Sequence, residues 1–357
     1  MLVLISCSNV DRDYNDFSEA REEVVEIAIL MPMTGPHAKL GQEYNKMIKM
    51  GLHDEAKTHI RVTSYDGSDE VQVMNAMKTI IERDTDIILG PLYSKLTSII
   101  SKQAQEHNII IMTMSNDPSI ADDNIFVFGH APLKQIMKIV NHLLANQHHY
   151  FITLLPANEY SSNIAKIVQD IMVKHNAVLA RAEFYEDTPE SIIRAVGIVT
   201  STVDNINEMD DQNTKPVILV SDNSQNLQLL YEVIDRYNLD KKAVIIGDNS
   251  IDIENAKIDM TFVGSSNIFT SDVKDKGEIE GITHLSFMDA LAYDLGRMAA
   301  YVIGYKFSPQ SFLSRIYNSE SFAGISGNIF YQSQPIAQRQ YDIISKQNGV
   351  YTTIRSN

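Results

Sequence analysis

From Val24 onward, short apolar runs rich in β-branched residues alternate with segments whose apolar residues recur at helical spacing, and this alternation constrains the fold more than any other feature. It is the signature of a parallel sheet covered by helices. Strands are expected at Val25 to Met31, Ile60 to Tyr65, Asp86 to Leu89, Ile109 to Met114, Tyr150 to Leu155, Val178 to Phe184, Pro216 to Val220 and Ala243 to Ile246. Several are continuous apolar runs, as strands buried on both faces require. Between them, Pro132 to Asn146 puts Leu133, Ile136, Met137, Val140, Leu143 and Leu144 on one helical face, with Pro132 suited to the first helical position. Ser286 to Ile303 does the same with Phe287, Leu291, Leu295, Met298 and Val302.

Two stretches break the alternation. Ile206 to Lys215, rich in Asn and Asp, reads as a solvated loop. Beyond Gly324, Asn328 to Tyr331 and Gln340 to Ile344 alternate like antiparallel strands, and Asn348-Gly349 is a hairpin turn signal before Val350 to Ile354. A doubly wound α/β protein that ends in a small antiparallel patch is expected.

A chain of 357 residues is long enough for two domains. No run of 18 apolar residues occurs, so a spanning helix is not expected. The 30 basic against 46 acidic side chains leave a net charge of −16, which repels phosphate backbones and argues against nucleic acid as a partner. A single cysteine, Cys7, allows neither an internal disulfide nor a cysteine-rich zinc site. The chain opens apolar through Ser6 and turns polar and acidic from Ser8 to Glu26. Leu4-Ile5-Ser6-Cys7 resembles the bacterial lipobox, in which the cysteine thiol receives the lipid. The charged and apolar parts of a full export signal are short here. The expectation is therefore a truncated lipoprotein signal and tether over residues 1–23, with Cys7 the lipidated residue and the lipid the sole contact with the membrane.

Open parallel sheets bind ligands in loops beyond the carboxyl ends of their strands. Those loops contain Thr34 to His37, Ser94, Ser115 with Asn116, Tyr160, Ser221 to Asn223, and Asp248 with Asn249. Hydroxyls and main-chain N–H groups at a helix start suit a carboxylate. The same residue types are also the ordinary turn and N-cap residues, so about half of these positions are expected only to cap helices.

Six segments in order resemble the type I periplasmic binding proteins that include the leucine/isoleucine/valine receptors. They are Ile29 to Pro36 with Leu40-Gly41-Gln42, Ser64-Tyr65-Asp66, Ile88 to Leu92, Met112 to Asn116, Asp289 to Asp294, and Phe322 to Gly327. The resemblance implies two doubly wound parallel-sheet lobes joined by a multi-crossing hinge. Lobe 1 is expected over 24–130 plus about 270–312, and lobe 2 over 131–269 plus about 313–357. Ser94 and the Ser115-Asn116 backbone stand where the receptors hold an α-carboxylate, and Asp248, or alternatively Asp222, where they set an acid against the ammonium. Tyr160 is the pocket aromatic. Met114 and Asn116 depart from the receptors' small-residue loop.

Within that superfamily, Gly90-Pro91-Leu92, Ser115-Asn116-Asp117, Ile125 to Gly129 and Leu154-Leu155-Pro156 resemble the penicillin-binding-protein activators, outer-membrane lipoproteins that stimulate peptidoglycan synthases. This branch implies a non-catalytic periplasmic regulator anchored to the outer membrane, with a peptidoglycan synthase as partner. The alternative is an amino-acid receptor of an ABC importer, with a permease as partner and a small amino-acid-like ligand. Ser271-Asp272-Val273-Lys274 and Ser221-Asp222-Asn223 match two marks of penicillin-interactive serine enzymes, but in reversed order and without Lys-Thr-Gly. No Gly-x-Gly-x-x-Gly or Walker loop occurs, and the histidines at 142, 148 and 149 lack a supporting acid, so no enzyme, cofactor or metal is expected.

Overall fold

The structure, a computed structural model, describes residues 24–209, 214–222, 226–248, 257–270, 286–318 and 320–354. The expectations for Cys7, the tether, Asn223, Asn249 and the Ser271 to Lys274 match fall outside these residues. The first sheet holds β1 (Val25–Met31), β2 (Ile60–Asp66), β3 (Ile87–Leu89), β4 (Ile110–Thr113) and β5 (Ile125–Val127), in the order β2-β1-β3-β4-β5 and parallel throughout. Alternate side chains of β1 enter two different cores. Ile27, Ile29 and Met31 join the core shared with α1 (Ala38–Glu55), whereas Ala28 and Leu30 join the one under α2 (Glu70–Glu82) and α3 (Ser94–Glu106). That two-faced burial is why β1 reads as an unbroken apolar run apart from Glu26.

The second sheet contains β6 (Tyr150–Pro156), β7 (Val178–Tyr185), β8 (Val217–Val220), β9 (Val244–Gly247), β10 (Met260–Gly264), β14 (Asp342–Gln347) and β15 (Val350–Ile354), ordered β15-β14-β10-β9-β8-β6-β7. Strands β6 to β10 are parallel, and β14 and β15 run antiparallel at one edge. Its helices are α4 (Pro132–Ala145), α5 (Glu159–Lys174), α6 (Pro189–Met209), α7 (Leu227–Arg236), α8 (Leu239–Lys242) and α9 (Asn267–Thr270). Asn348 and Gly349 both take positive φ, 49° and 78°, as a tight two-residue hairpin requires. Between the sheets, α10 (Phe287–Ile303) and α11 (Pro309–Asn318) precede a three-stranded antiparallel sheet of β11 (Phe322–Gly324), β12 (Gly327–Phe330) and β13 (Gln338–Gln340). The architecture is two α/β lobes with a small antiparallel sheet.

Several expectations shift. Strands β5 and β10 were not among those expected. Helix α6 runs to Met209 with Ile206 buried, so the start of the expected 206–215 loop is helix; Val203 and Ile206 stand three apart on its core face. In α4, Met137 is 42% exposed and Gln135 and Ile139 take buried places instead. The stretch Gln340 to Ile344 is not one strand: it breaks at Tyr341, with β13 and β14 in different sheets. The chain after Phe312, expected in the second lobe, first packs on the first. Phe126 of β5 is surrounded by Phe312 at 5.2 Å, Tyr317 at 6.1 Å and Tyr331 at 5.9 Å, and Val127 bridges to Ile336.

Candidate functional site

The expected residues gather at the carboxyl ends of the two sheets as two half-sites. In the first lobe, the loop after β1 is fastened by Asp66 at the end of β2. Its carboxylate accepts from the Met33 N–H at 2.9 Å, the Thr34 hydroxyl at 2.6 Å and the Ser68 N–H at 3.0 Å. Burial pushes the Asp66 pKa up, but the hydrogen bonds outweigh it and hold the carboxyl below its usual range. Asp69 then caps α2, accepting from the Gln72 N–H at 2.9 Å.

After β3 the chain turns through a cis Gly90-Pro91 bond, with Gly90 at φ +106°. A Cβ there would lie 2.3 Å from the Leu30 carbonyl oxygen, so only glycine fits. Tyr93 is the N-cap of α3 and makes no side-chain capping bond, and half-buried Ser94 is the first residue of that helix. Tyr93 packs instead against His37, the N-cap of α1, at 5.9 Å between ring centroids. A buried threonine pair ties this turn to the end of β4: Thr97 and Thr113 are 3.0 Å apart, Thr113 donates to the Pro91 carbonyl at 2.8 Å, and the Ser115 N–H donates to Thr113 Oγ1 at 3.1 Å.

Ser115 is buried, and its Oγ accepts from the Asp117 N–H at 3.1 Å, forming a local turn. Asn116 beside it is exposed. A Cβ on Gly129 would lie 2.0 Å from the Ser115 carbonyl oxygen, so the first crossing between lobes runs directly behind Ser115 and Asn116. Met114, the bulky departure noted in the sequence, is buried in the core shared with α1.

In the second lobe, Asn158 caps α5 by accepting from the Ser161 N–H at 2.8 Å, which sets Tyr160 in the first turn, 47% exposed. Burial and then the Asp248 carboxylate push the Tyr160 phenol pKa up, so these two expected residues are electrostatic neighbours. Asp248 follows β9, is fully buried, and accepts from the Ser221 hydroxyl at 2.8 Å. Asp222 is also buried and accepts from the Tyr185 hydroxyl at 2.6 Å. Burial first, and Asp222 next, raise the pKa of that phenol. Ser94, Ser115 and Asn116 therefore share one half-site, and Tyr160, Asp222 and Asp248 the other.

Sequence reasoning missed Tyr185 and the Thr97–Thr113 pair as parts of the site's frame. The one available signal for Tyr185 was an aromatic closing a strand next to acidic residues. A separate cavity of about 460 Å³ opens at the other end of the first sheet, between Val24, Asp84, Asp86, His107 and Phe307. It shares no residue with either half-site.

Residues 24–196 match the family described as Periplasmic binding protein. The chain is 48% identical over 355 residues to the Rickettsia prowazekii protein designated Uncharacterized protein RP748, covering 99% of this chain and 95% of the other. Among solved structures it resembles the branched-chain amino acid transporter substrate binding protein LivJ from Streptococcus pneumoniae, in complex with isoleucine, at 12% identity and a TM-score of 0.65 over 93% of this chain and 99% of that one. It also resembles a solute binding protein of an ABC transporter from Rhodopseudomonas palustris in complex with p-hydroxybenzoic acid, at 11% identity and a TM-score of 0.68 over 94% and 96% of the two chains. At these identities the likeness to solved structures is one of fold. No helix among the described residues is long and apolar enough to cross a membrane. Family membership implies an extracytoplasmic location. With two doubly wound lobes, half-sites at their facing strand ends and these relatives, the chain belongs to the type I periplasmic binding proteins of leucine-binding-like fold.

Proposed function

We propose that this chain is a non-catalytic receptor that holds a small amino-acid-like solute between its lobes and delivers it to an ABC permease. The observation that carries this reading is the pairing of half-exposed Tyr160 with fully buried Asp248 at the strand ends of the second lobe. A buried carboxylate with an aromatic neighbour suits an ammonium group, which both the charge and a ring face attract. On the first lobe, α3 begins at Ser94 with no side chain capping its first-turn N–H groups, which suits a carboxylate. The ligands of the two solved neighbours, isoleucine and p-hydroxybenzoic acid, both carry a carboxylate, and isoleucine alone also carries an ammonium. Asp248 favours the amino acid over the aromatic acid. Met114, turned into the core, leaves Ser115 and Asn116 to border the cleft.

The competing reading is an anchored activator of a penicillin-binding protein. The segments behind that resemblance have local structural roles here: Gly90-Pro91 makes the cis turn, Asp117 caps a short 3-10 turn, and Leu154 to Pro156 end β6. We place the receptor first on the pairing of Tyr160 with Asp248. A thermal-shift screen across the amino acids and hydroxybenzoates separates the readings. A ligand at a hundredfold excess over its dissociation constant adds about 2.7 kcal/mol of stability. The receptor reading expects an upward shift with one or a few amino acids, abolished by Ser94→Ala and reduced by Asp248→Asn. No shift with any of them sinks that reading and returns the chain to the activator role, which co-purification with a penicillin-binding protein then tests. Lipidation belongs to either reading, and mass spectrometry of membrane-extracted protein should find acylated Cys7; a free thiol refutes it.

A further inference from the structure

Among the described residues, three stretches lie where the chain passes between the lobes: residues 128–131 after β5, Ser286 and Phe287 at the start of α10, and Tyr341 between β13 and β14. They are fastened by one another's side chains. Arg339 of β13 donates to the Gly129 carbonyl at 2.7 Å and to the Phe128 carbonyl at 2.6 Å, with its guanidinium 4.5 Å from the centre of the Phe128 ring. His130, the next residue, is only 8% exposed, and its Nδ1 has no hydrogen-bond partner among the described residues. Its ring meets Phe287 edge-on at 5.6 Å, and Phe287 in turn packs against Tyr341 at 6.4 Å. A single imidazole thus stands in the joint of all three crossings.

We propose that this hinge is proton-sensitive: the packed arrangement of the three crossings requires a neutral His130, and acidification favours a loosened arrangement in which residues 128–131 let that imidazole reach water. A proton on the packed ring would set an imidazolium beside a guanidinium in a site sealed from solvent. Among the described residues, the charged group facing His130 is Arg339. Helix α10 turns Phe287 toward it, while Asp289 in the same turn is engaged by the capping box with Ser286, and Lys138 of α4 donates to the Tyr341 carbonyl. Burial first, and Arg339 second, push the His130 pKa down to about 3. A histidine depressed in the packed state adds stability that is complete above its free pKa of about 6.5 and is lost as pH falls from there toward 3. The loosened population should rise roughly tenfold per pH unit below about 6.5.

The chain contains no tryptophan, so Phe287→Trp sets one indole against His130, and departure of the protonated imidazole to water changes the surroundings of that indole and hence its emission. Between pH 7.5 and 5.0, at constant far-UV circular dichroism, the emission should change, and it should stay flat when His130→Gln is added. As a second measurement on otherwise unaltered protein, the melting temperature should fall further between those pH values in the wild type than in His130→Phe or His130→Leu. The radius of gyration from small-angle scattering should rise on acidification in the wild type alone. A reporter that does not respond with His130 present, or that responds equally without it, overturns the proposal. So do equal losses of melting temperature with and without His130, or a radius that ignores pH.

Discussion

A carboxylate that accepts three hydrogen bonds is a different group from the same carboxylate in water, and Asp66 shows the difference. Thr34→Val deletes the 2.6 Å hydroxyl donor, so the Asp66 pKa should rise toward the ordinary carboxylate range, readable by carboxyl carbon NMR. An unchanged titration would mean that the hydroxyl does not hold the group down. Tyr185 poses the buried version of the question. Tyr185→Phe removes one hydrogen-bond donor to the buried Asp222 carboxylate, so it should cost about 1–3 kcal/mol in denaturant unfolding. At this scale the sequence was only partly legible. The polar loop residues could be named because strand ends locate them, but a serine that binds and a serine that caps look alike in one dimension. Ser115 shows this, since its hydroxyl is engaged by the Asp117 N–H. The pairing of Tyr185 was hidden because its partner lies 37 residues away, on the far side of β6.

Helix crossings depend on what the facing residues lack. Helices α1 and α10 approach so closely that a Cβ on Gly51 would lie 2.1 Å from the Tyr293 carbonyl oxygen, and one on Gly296 2.1 Å from that of Ile48. Helix propensity alone predicts that Gly→Ala stabilises by about 1 kcal/mol. Overpacking against backbone predicts a loss of about 1–3 kcal/mol, and backbone cannot step aside as a flexible side chain can. Gly51→Ala and Gly296→Ala should therefore each lower the melting temperature, and a rise in either would show that the helices can separate at little cost. The eight expected strands all exist: the central ones, such as β1, β3, β4 and β8, stand out because they are apolar on both faces, while β2 and β7 at the sheet edges are largely unburied and carry polar residues. By contrast, β5 has only three residues and β10 lies beyond the expected alternation, so neither stood out. Helix α6 was cut short because its Asn and Asp residues suggested solvent, although Val203 and Ile206 still pointed inward. Periodicity reports burial, and a polar face on a buried helix dilutes it.

The two lobes are not independent at the level of the whole molecule. One apolar core runs from Ile27 in the first sheet, through Phe287 at the hinge, to Phe151 and Val263 in the second. Unfolding should therefore be one cooperative transition, with calorimetric and van't Hoff enthalpies agreeing; two resolved transitions would assign a separate core to each lobe. The lobes themselves were legible from the ordered segments of the family, but the return of the chain after Phe312 to β5 was not, since it rests on Tyr317, Tyr331 and Ile336 meeting a strand about two hundred residues earlier. In the receptor proposed above, the two half-sites close on the two charged ends of one small molecule. Isothermal titration with the best amino acid from the screen, its methyl ester and its deaminated acid tests this most directly. Measurable binding of the amino acid and at least tenfold weaker binding of both derivatives are expected, with Asp248→Asn erasing the preference for the ammonium. Equal affinity for all three, or tighter binding of the deaminated acid, would contradict it.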